Sequence, residues 1–116
     1  MKLSDRIPKR LRDRALFFPE FDEGEGAWLK TDAMAVIESL KGTTVAVSDV
    51  VILHMAPGGY PIPSDLTLFV DRFPDEADTD YAARSRSLAF EFIQNSKMVD
   101  DTTLFALTFP LWKDAA

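Results

Sequence analysis

The sequence has 116 residues, of which 47% are hydrophobic, and its net charge is −6. A chain of this length can bury enough apolar surface for one core, which predicts a single domain over residues 1–116. It contains no cysteine and one histidine, which excludes disulfides and argues against a conventional zinc site. No signal-peptide pattern and no run of twenty apolar residues is present, so we expect a soluble, cytoplasmic protein.

The charge is distributed unevenly along the chain. Residues 1–16 contain six basic and two acidic residues, whereas the rest contains seven basic and seventeen acidic residues. An acidic body of this kind repels nucleic acid and favours basic protein partners, although the same charge could serve only solubility. We therefore expect no nucleic-acid partner.

The basic start predicts a short amphipathic helix within residues 1–18, because Leu11, Ala15 and Phe18 are spaced by four and three residues. Its apolar face is small, which favours docking on the acidic body over binding to a membrane or a nucleic acid. Residues 19–27 are acidic and contain glycine, which predicts a loop.

A second helical pattern begins at Trp28, with Thr31 as the predicted cap and the helix over residues 32–41. Residues 43–55 are β-branched and largely apolar, as in a central strand. The polar pair Ser48 and Asp49 interrupts this run, which predicts a bulge, a bend or a break into two strands.

Two further strands follow. Residues 56–63 have turn composition and residues 65–71 alternate, with Leu66, Leu68 and Val70 on one face and Phe69 on the other. Residues 102–109 form the last predicted strand; its inward side chains are Phe105, Leu107 and Phe109.

The longest periodic segment predicts a helix over residues 80–96 within residues 78–97. Thr79 is the predicted cap. The predicted buried stripe consists of Tyr81, Ser85, Leu88, Ala89, Phe92 and Ile93, with Leu88 and Phe92 at the centre of the contact with the sheet. Phe90 points away from that stripe, so we expect it to be exposed, covered by the N-terminal helix or used in an interface.

Together these elements predict an α/β domain of the α+β type with two layers. A mainly antiparallel sheet of three to four strands is covered on one face by the helices. The core domain is predicted over residues 27–109.

Motifs for catalysis are not found. His54 is the single histidine and ends an apolar run, which is more typical of a structural residue than of a general base. The acidic residues in 71–80 do not have calcium-loop spacing, and exposed acidic clusters are usually solvated surface. We expect no metal site, no cofactor and no enzymatic activity.

The order of motifs resembles the Immunity protein 40 family. The resemblance spans roughly residues 27–109 and rests on Trp28, the capped helix after it, VSDV at 47–50, DLTLF at 65–69, the Tyr81-x-x-Arg84-Ser85 helix and LFALTF at 104–109. The family pattern has Gly-Gly-Asp-Val-like and Asp-Asn-Trp-Tyr-like elements at the first two strand positions. This sequence retains the aspartates and lacks the glycines and the tryptophan.

The resemblance implies an antitoxin of a bacterial polymorphic toxin system, which binds and occludes a basic toxin domain through its acidic surface. The residues expected to contact the toxin are seven carboxylates and two aromatic anchors: Asp49, Asp65, Asp71, Asp75, Glu76, Asp78, Asp80, Tyr60 and Trp28. One alternative is a ligand-binding or enzymatic domain with a pocket near His54, Asp49, Arg84 and Arg86. Another is a regulatory protein that dimerises through an apolar patch.

Overall fold

A computed structural model describes residues 5–19, 21, 24–97 and 99–110. The described residues form three helices and four strands, and the sheet is antiparallel with strand order β1-β4-β2-β3. The helices pack on one face of this sheet, which confirms the predicted two-layer α+β class. In chain order the elements are α1 Lys9–Arg12, β1 Glu25–Trp28, α2 Lys30–Ser39, β2 Asp49–Met55, β3 Pro61–Phe69, α3 Asp78–Gln94 and β4 Thr103–Thr108.

Strand β4 lies between β1 and β2 and is buried on both faces, because the helices cover one face and the chain before β1 covers the other. Phe105 and Leu107 face the helices, and Phe109, just past the strand, is also buried there, as predicted. Leu104 and Ala106 face the opposite side, where the partly buried rings of Phe18 and Phe21 pack against them. The chain before β1 thus shields the helix-free face.

The strand predicted over residues 43–55 is shorter than expected. Strand β2 begins at Asp49, so the polar pair marks the start of the strand and not a bulge within it. Residues 43–48 pack on α3 instead, because Ser85 Oγ accepts a hydrogen bond from Val47 N at 3.1 Å and Arg86 donates to two carbonyl oxygens of this segment. Side chains of a helix therefore satisfy backbone groups that a neighbouring strand would otherwise bind.

The prediction of a loop over residues 19–27 is wrong for residues 25–27, which belong to β1. Trp28 is the last residue of this strand and does not begin a helix. A Cβ at Gly26 would lie 2.9 Å from the Trp28 ring, so only glycine leaves room for the indole beside it. Helix α2 starts at Lys30, and its cap is Leu29 rather than Thr31, which lies inside the first turn.

Helix α3 confirms the predicted element and buries four of the six residues of the predicted stripe, namely Tyr81, Ser85, Ala89 and Ile93. Thr79 is not the cap, since that position is taken by Ala77. Leu88 is 39% exposed and Phe92 is half-buried, so the predicted centre of the stripe is wrong. Phe90, expected outside the core, is partly buried against it. The buried residues of α3 are Tyr81, Ala82, Ser85, Arg86, Ala89 and Ile93.

The β2 and β3 strands form a hairpin in which β2 ends at the turn as predicted, β3 begins four residues earlier than predicted, and both strands are shorter at the far end. Strand β3 starts at Pro61 and ends at Phe69, where residues 65–71 were expected. The pairing shifts between Val51 and Leu53, which leaves two extra residues in β3 near Asp65. This bulge accompanies an exposed Leu66, which had been predicted to face the core.

The N-terminal segment is folded onto the body, although its helix is much shorter than residues 1–18. Ile7 and Leu11 are fully buried in the main core. The Trp28 indole Nε1 donates a hydrogen bond of 2.7 Å to the Leu11 carbonyl oxygen, which ties this segment to β1. Residues 1–4 of the predicted helix and residues 20, 22 and 23 of the predicted loop lie outside the described residues.

Candidate partner-binding surface

Residues 71–80, termed the acidic loop, comprise the connection after β3 and the first three residues of α3, and Arg84 holds them in place. The Arg84 Nε and Nη2 atoms each donate a hydrogen bond of 2.8 Å to a different carboxylate oxygen of Glu76. Nη2 also donates to the Asp71 carbonyl oxygen at 2.6 Å. A two-pronged guanidinium contact of this type fixes geometry as well as charge. Arg84 thus joins both ends of the loop to the helix.

A second arginine strengthens the same loop. Arg72 forms an ion pair with Asp78, and its guanidinium carbon lies 4.9 Å from the centre of the Tyr81 ring. Tyr81 in turn donates a hydrogen bond of 2.6 Å from its hydroxyl to the Val70 carbonyl oxygen. Both arginines therefore stabilise the acidic loop, through ion pairs with its carboxylates and through contact with an aromatic ring.

The charge of Glu76 is the central electrostatic feature of this support. The hydrogen bonds from Arg84 lower the pKa of Glu76 from 4.5 to about 2, and the Phe73 backbone N–H, which donates to the same carboxylate at 3.1 Å, adds to the effect. The carboxylate is thus ionised at any physiological pH. The negative charge of Glu76 is neutralised by Arg84 within the protein, so this carboxylate is not available to bind a partner.

Acidification should weaken this contact. Because the folded pKa of Glu76 lies below its ordinary value, the contact stabilises the protein fully above about pH 4.5 and is lost as the pH falls towards 2. The unfolding temperatures of wild type and Glu76→Gln should therefore differ most near pH 6 and converge near pH 2.5. Glu38→Gln, an exposed change on α2, is the control. Parallel curves for wild type and Glu76→Gln across this range would contradict the assignment.

Three carboxylates of the acidic loop are free. Asp71, Asp75 and Asp80 are exposed, and none forms an ion pair with the part of the chain that the structure describes. Asp80 lies with Asp78 in the first turn of α3, where the helix dipole favours negative charge. The loop thus separates into paired acids that hold its shape and unpaired acids that face solvent.

The other two predicted aspartates lie on the neighbouring strands β2 and β3. Asp49 is half-buried at the start of β2, opposite Phe69 in the register, so it adjoins the acidic loop. Asp65 is exposed in the β3 bulge, between the loop and the hairpin turn. The structure therefore brings six of the seven predicted carboxylates to one end of the sheet and places Asp65 part-way along β3.

The predicted aromatic anchors are separated from this surface. Tyr60 is 60% exposed, but it lies in the hairpin turn at the opposite end of β3. Trp28 is only 1% exposed and donates its indole N–H to Leu11. It is a core residue, and its assignment as an anchor is corrected.

Two other aromatic side chains lie beside the acidic loop. Phe69 is 67% exposed at the end of β3, and Phe73 is 60% exposed inside the loop with Arg84 4.1 Å from its ring centre. The alternation of residues 65–71 predicted that Phe69 faces away from the core, so the sequence pattern identifies Phe69 as an exposed residue. Phe73 is a large aromatic between charged residues, but no periodic pattern in the sequence marks it as exposed.

The alternative pocket near His54, Asp49, Arg84 and Arg86 is not formed. His54 and Asp49 lie near opposite ends of β2. Arg84 binds Glu76, whereas Arg86 is buried and donates to the Thr43 and Val45 carbonyl oxygens at 2.8 Å each. His54 is exposed, with Thr103 Oγ1 at 3.5 Å from Nδ1. These four residues are therefore not brought together around one pocket.

Among the described residues, no group of three or more His, Asp or Glu side chains is arranged to hold a metal ion. Within the same residues, no helix is long and apolar enough to cross a membrane.

Comparison with known proteins gives one match. The family model described as Immunity protein 40 matches residues 17–109, which extends ten residues beyond the predicted start of the resemblance and includes Phe18 and Phe21. Neither the curated proteins nor the solved structures gave a significant match.

Proposed function

This chain belongs to the Immunity protein 40 family, and from that premise we propose that it protects its cell by binding a cognate toxin domain and occluding it. Immunity proteins are generally not enzymes, and occlusion requires no chemistry, cofactor or metal from the binder. The proposal places the protein in the cytoplasm, with neither nucleic acid nor membrane as partner.

The observation that carries the proposal is a rigidly held loop with free carboxylates beside exposed aromatic rings. Asp71, Asp75 and Asp80 present unpaired negative charge, and Phe69 and Phe73 lie next to them. Clustered charge steers a basic partner during association, whereas aromatic side chains supply much of the contact energy in ordinary interfaces. The toxin domain is therefore proposed to present a basic surface.

The arginine contacts matter for the strength of binding. A loop that must become ordered on binding loses conformational entropy, which weakens affinity. Here Arg84 and Arg72 hold the loop before any partner arrives. The paired acids Glu76 and Asp78 are thus proposed to act indirectly, by keeping the free acids in position.

The direct test is protection of cells. The toxin domain encoded beside this chain would be expressed from an inducible promoter, with and without the chain. We expect growth to be restored only when the chain is present, and the two proteins to be recovered together on affinity purification.

An unrelated acidic protein of similar size and net charge controls for bulk acidity, and it should not protect. Continued growth arrest in cells that contain the folded chain would refute the immunity function. Protection by the control protein would show that the acidic loop is not required.

A further inference from the structure

Strand β3 is an open edge of the sheet. Among the described residues it pairs with β2 alone, whereas the other outer strand, β1, is bridged by Leu16 opposite Ala27. Val70 N donates a hydrogen bond of 2.8 Å to the Ser48 carbonyl oxygen, which shows that the backbone of even-numbered residues here faces β2. The N–H and C=O groups of Thr67 and Phe69 therefore point away from the sheet.

The rest of this edge is blocked. Ala56 N donates to the Tyr60 carbonyl oxygen at 2.9 Å, so the same alternation directs the backbone of Pro61 and Pro63 outwards. Proline has no N–H to offer another strand, and such residues protect sheet edges from unwanted pairing. The bulge near Asp65 interrupts the regular pairing of the residues between Pro63 and Thr67. Residues 67–69, termed the open edge, are left unprotected.

We propose that the open edge is completed by an extended segment of the toxin domain, which adds a strand beside β3. This inference rests on the proposed immunity function and specifies how the partner is bound. Added strands gain affinity from backbone hydrogen bonds and specificity from side chains at alternate positions. The exposed ring of Phe69 would pack against an apolar side chain of the added strand.

The flanking charges define the chemistry of that segment. Asp65 and Asp71 lie on either side of the open edge, are exposed, and form no ion pair with any described residue. A segment with lysine or arginine on both sides of an apolar centre would place its cations beside these carboxylates. The added strand is therefore basic at its ends.

The same charges disfavour a second copy of this chain. If two β3 strands paired antiparallel about Leu68, Thr67 would lie opposite Phe69 and Asp65 would lie opposite Asp71 of the other copy. The symmetry of such a pair repeats the contact between like charges, which destabilises it. A basic partner meets no such repulsion.

A matched pair of variants tests the added strand. Thr67→Pro removes an outward N–H that the fold does not use, following the pattern of Pro61 and Pro63, whereas Thr67→Ala keeps it. With the toxin domain encoded beside this chain as the probe, Thr67→Pro should weaken binding about tenfold or more, and Thr67→Ala should change it less. Thermal unfolding would verify that both variants fold.

Amide hydrogen exchange of the wild-type protein gives a readout that does not depend on any variant. In the free protein, the Thr67 and Phe69 amides should exchange much faster than the Leu68 amide, which faces Val50 of β2. In the complex with the toxin domain, the Thr67 and Phe69 amides should become protected from exchange.

The outcomes separate the two proposals. A bound toxin domain that leaves these amides unprotected, or that binds a folded Thr67→Pro protein as tightly as wild type, would overturn the added strand and leave the immunity function standing. Absence of binding to the wild type would overturn both. Sedimentation of the protein alone as a dimer with protected Thr67 and Phe69 amides would show that a second copy occupies the edge, which also overturns the proposal.

Discussion

Truncating Ile93 to alanine should destabilise the protein by about 2 to 5 kcal/mol, the range for removal of a large aliphatic side chain from a packed core. Ile93 is fully buried on α3 and belongs to the main core with Phe105 and Leu107 of β4. The alanine would leave a cavity between helix and sheet that both layers are too closely packed to fill. Chemical denaturation monitored by circular dichroism measures this loss as a lower midpoint with little change in slope.

Leu88→Ala on the same helix is the matched control. Leu88 is 39% exposed, so its truncation should cost about 1 kcal/mol or less because water already reaches the side chain. Equal losses at the two positions would mean that α3 is rotated relative to the sheet, with Leu88 at the interface as the sequence pattern had indicated.

The difference between the predicted and the observed centre of the buried face of α3 shows what helical periodicity can and cannot specify. The spacing predicted the existence and length of α3, but a stripe assigned from apolar residues alone is centred on the largest ones. The helix buries Ser85 and Ala89, which belong to the predicted stripe, but it also buries Arg86 and leaves the larger Leu88 exposed. Arg86 is drawn inwards because its guanidinium binds two backbone carbonyls of the segment before β2. A polar contact between distant segments therefore overrides the apolar pattern.

Strand β1 could not be predicted for a related reason. Its four residues include glycine and glutamate, which have low strand propensity. It forms because its register places Ala27 and Trp28 opposite Ala106 and Phe105 of β4, a pairing across nearly eighty residues. No local pattern carries that information, whereas β4 has a continuous apolar run between its terminal threonines and was predicted to within one residue at each end.

The candidate surface was predictable in composition but not in detail. Net charge and the run at residues 71–80 identified the carboxylates. Which of them are free depends on Arg72 and Arg84, whose contacts form only after α3 docks beside the end of β3. Phe73 owes its position to the same docking, since it lies under Arg84. Sequence alone gives the charge of this region, and the fold decides which charges a partner meets.

The free carboxylates should control how fast the toxin domain associates. A variant carrying Asp71→Asn, Asp75→Asn and Asp80→Asn loses three charges but keeps both arginine contacts, because Glu76 and Asp78 are unchanged. Its association rate constant at low salt should fall by about tenfold or more, within the range attributed to electrostatic steering. Dissociation should change less, because exposed charges at the rim of an interface act mainly on encounter.

A second variant, with Asp13→Asn, Glu38→Gln and Asp101→Asn, removes the same number of charges from exposed positions outside the acidic loop. Its association should slow by much less, because steering depends on where the charge lies as well as on its total. Surface plasmon resonance at about 20 mM and 500 mM salt would measure both rates, and the difference between wild type and the acidic-loop variant should largely vanish at high salt, where the screening length is only a few ångströms. If both variants slow equally, overall charge and not the acidic loop attracts the toxin domain. If the acidic-loop variant matches wild type at low salt, the loop lies outside the interface.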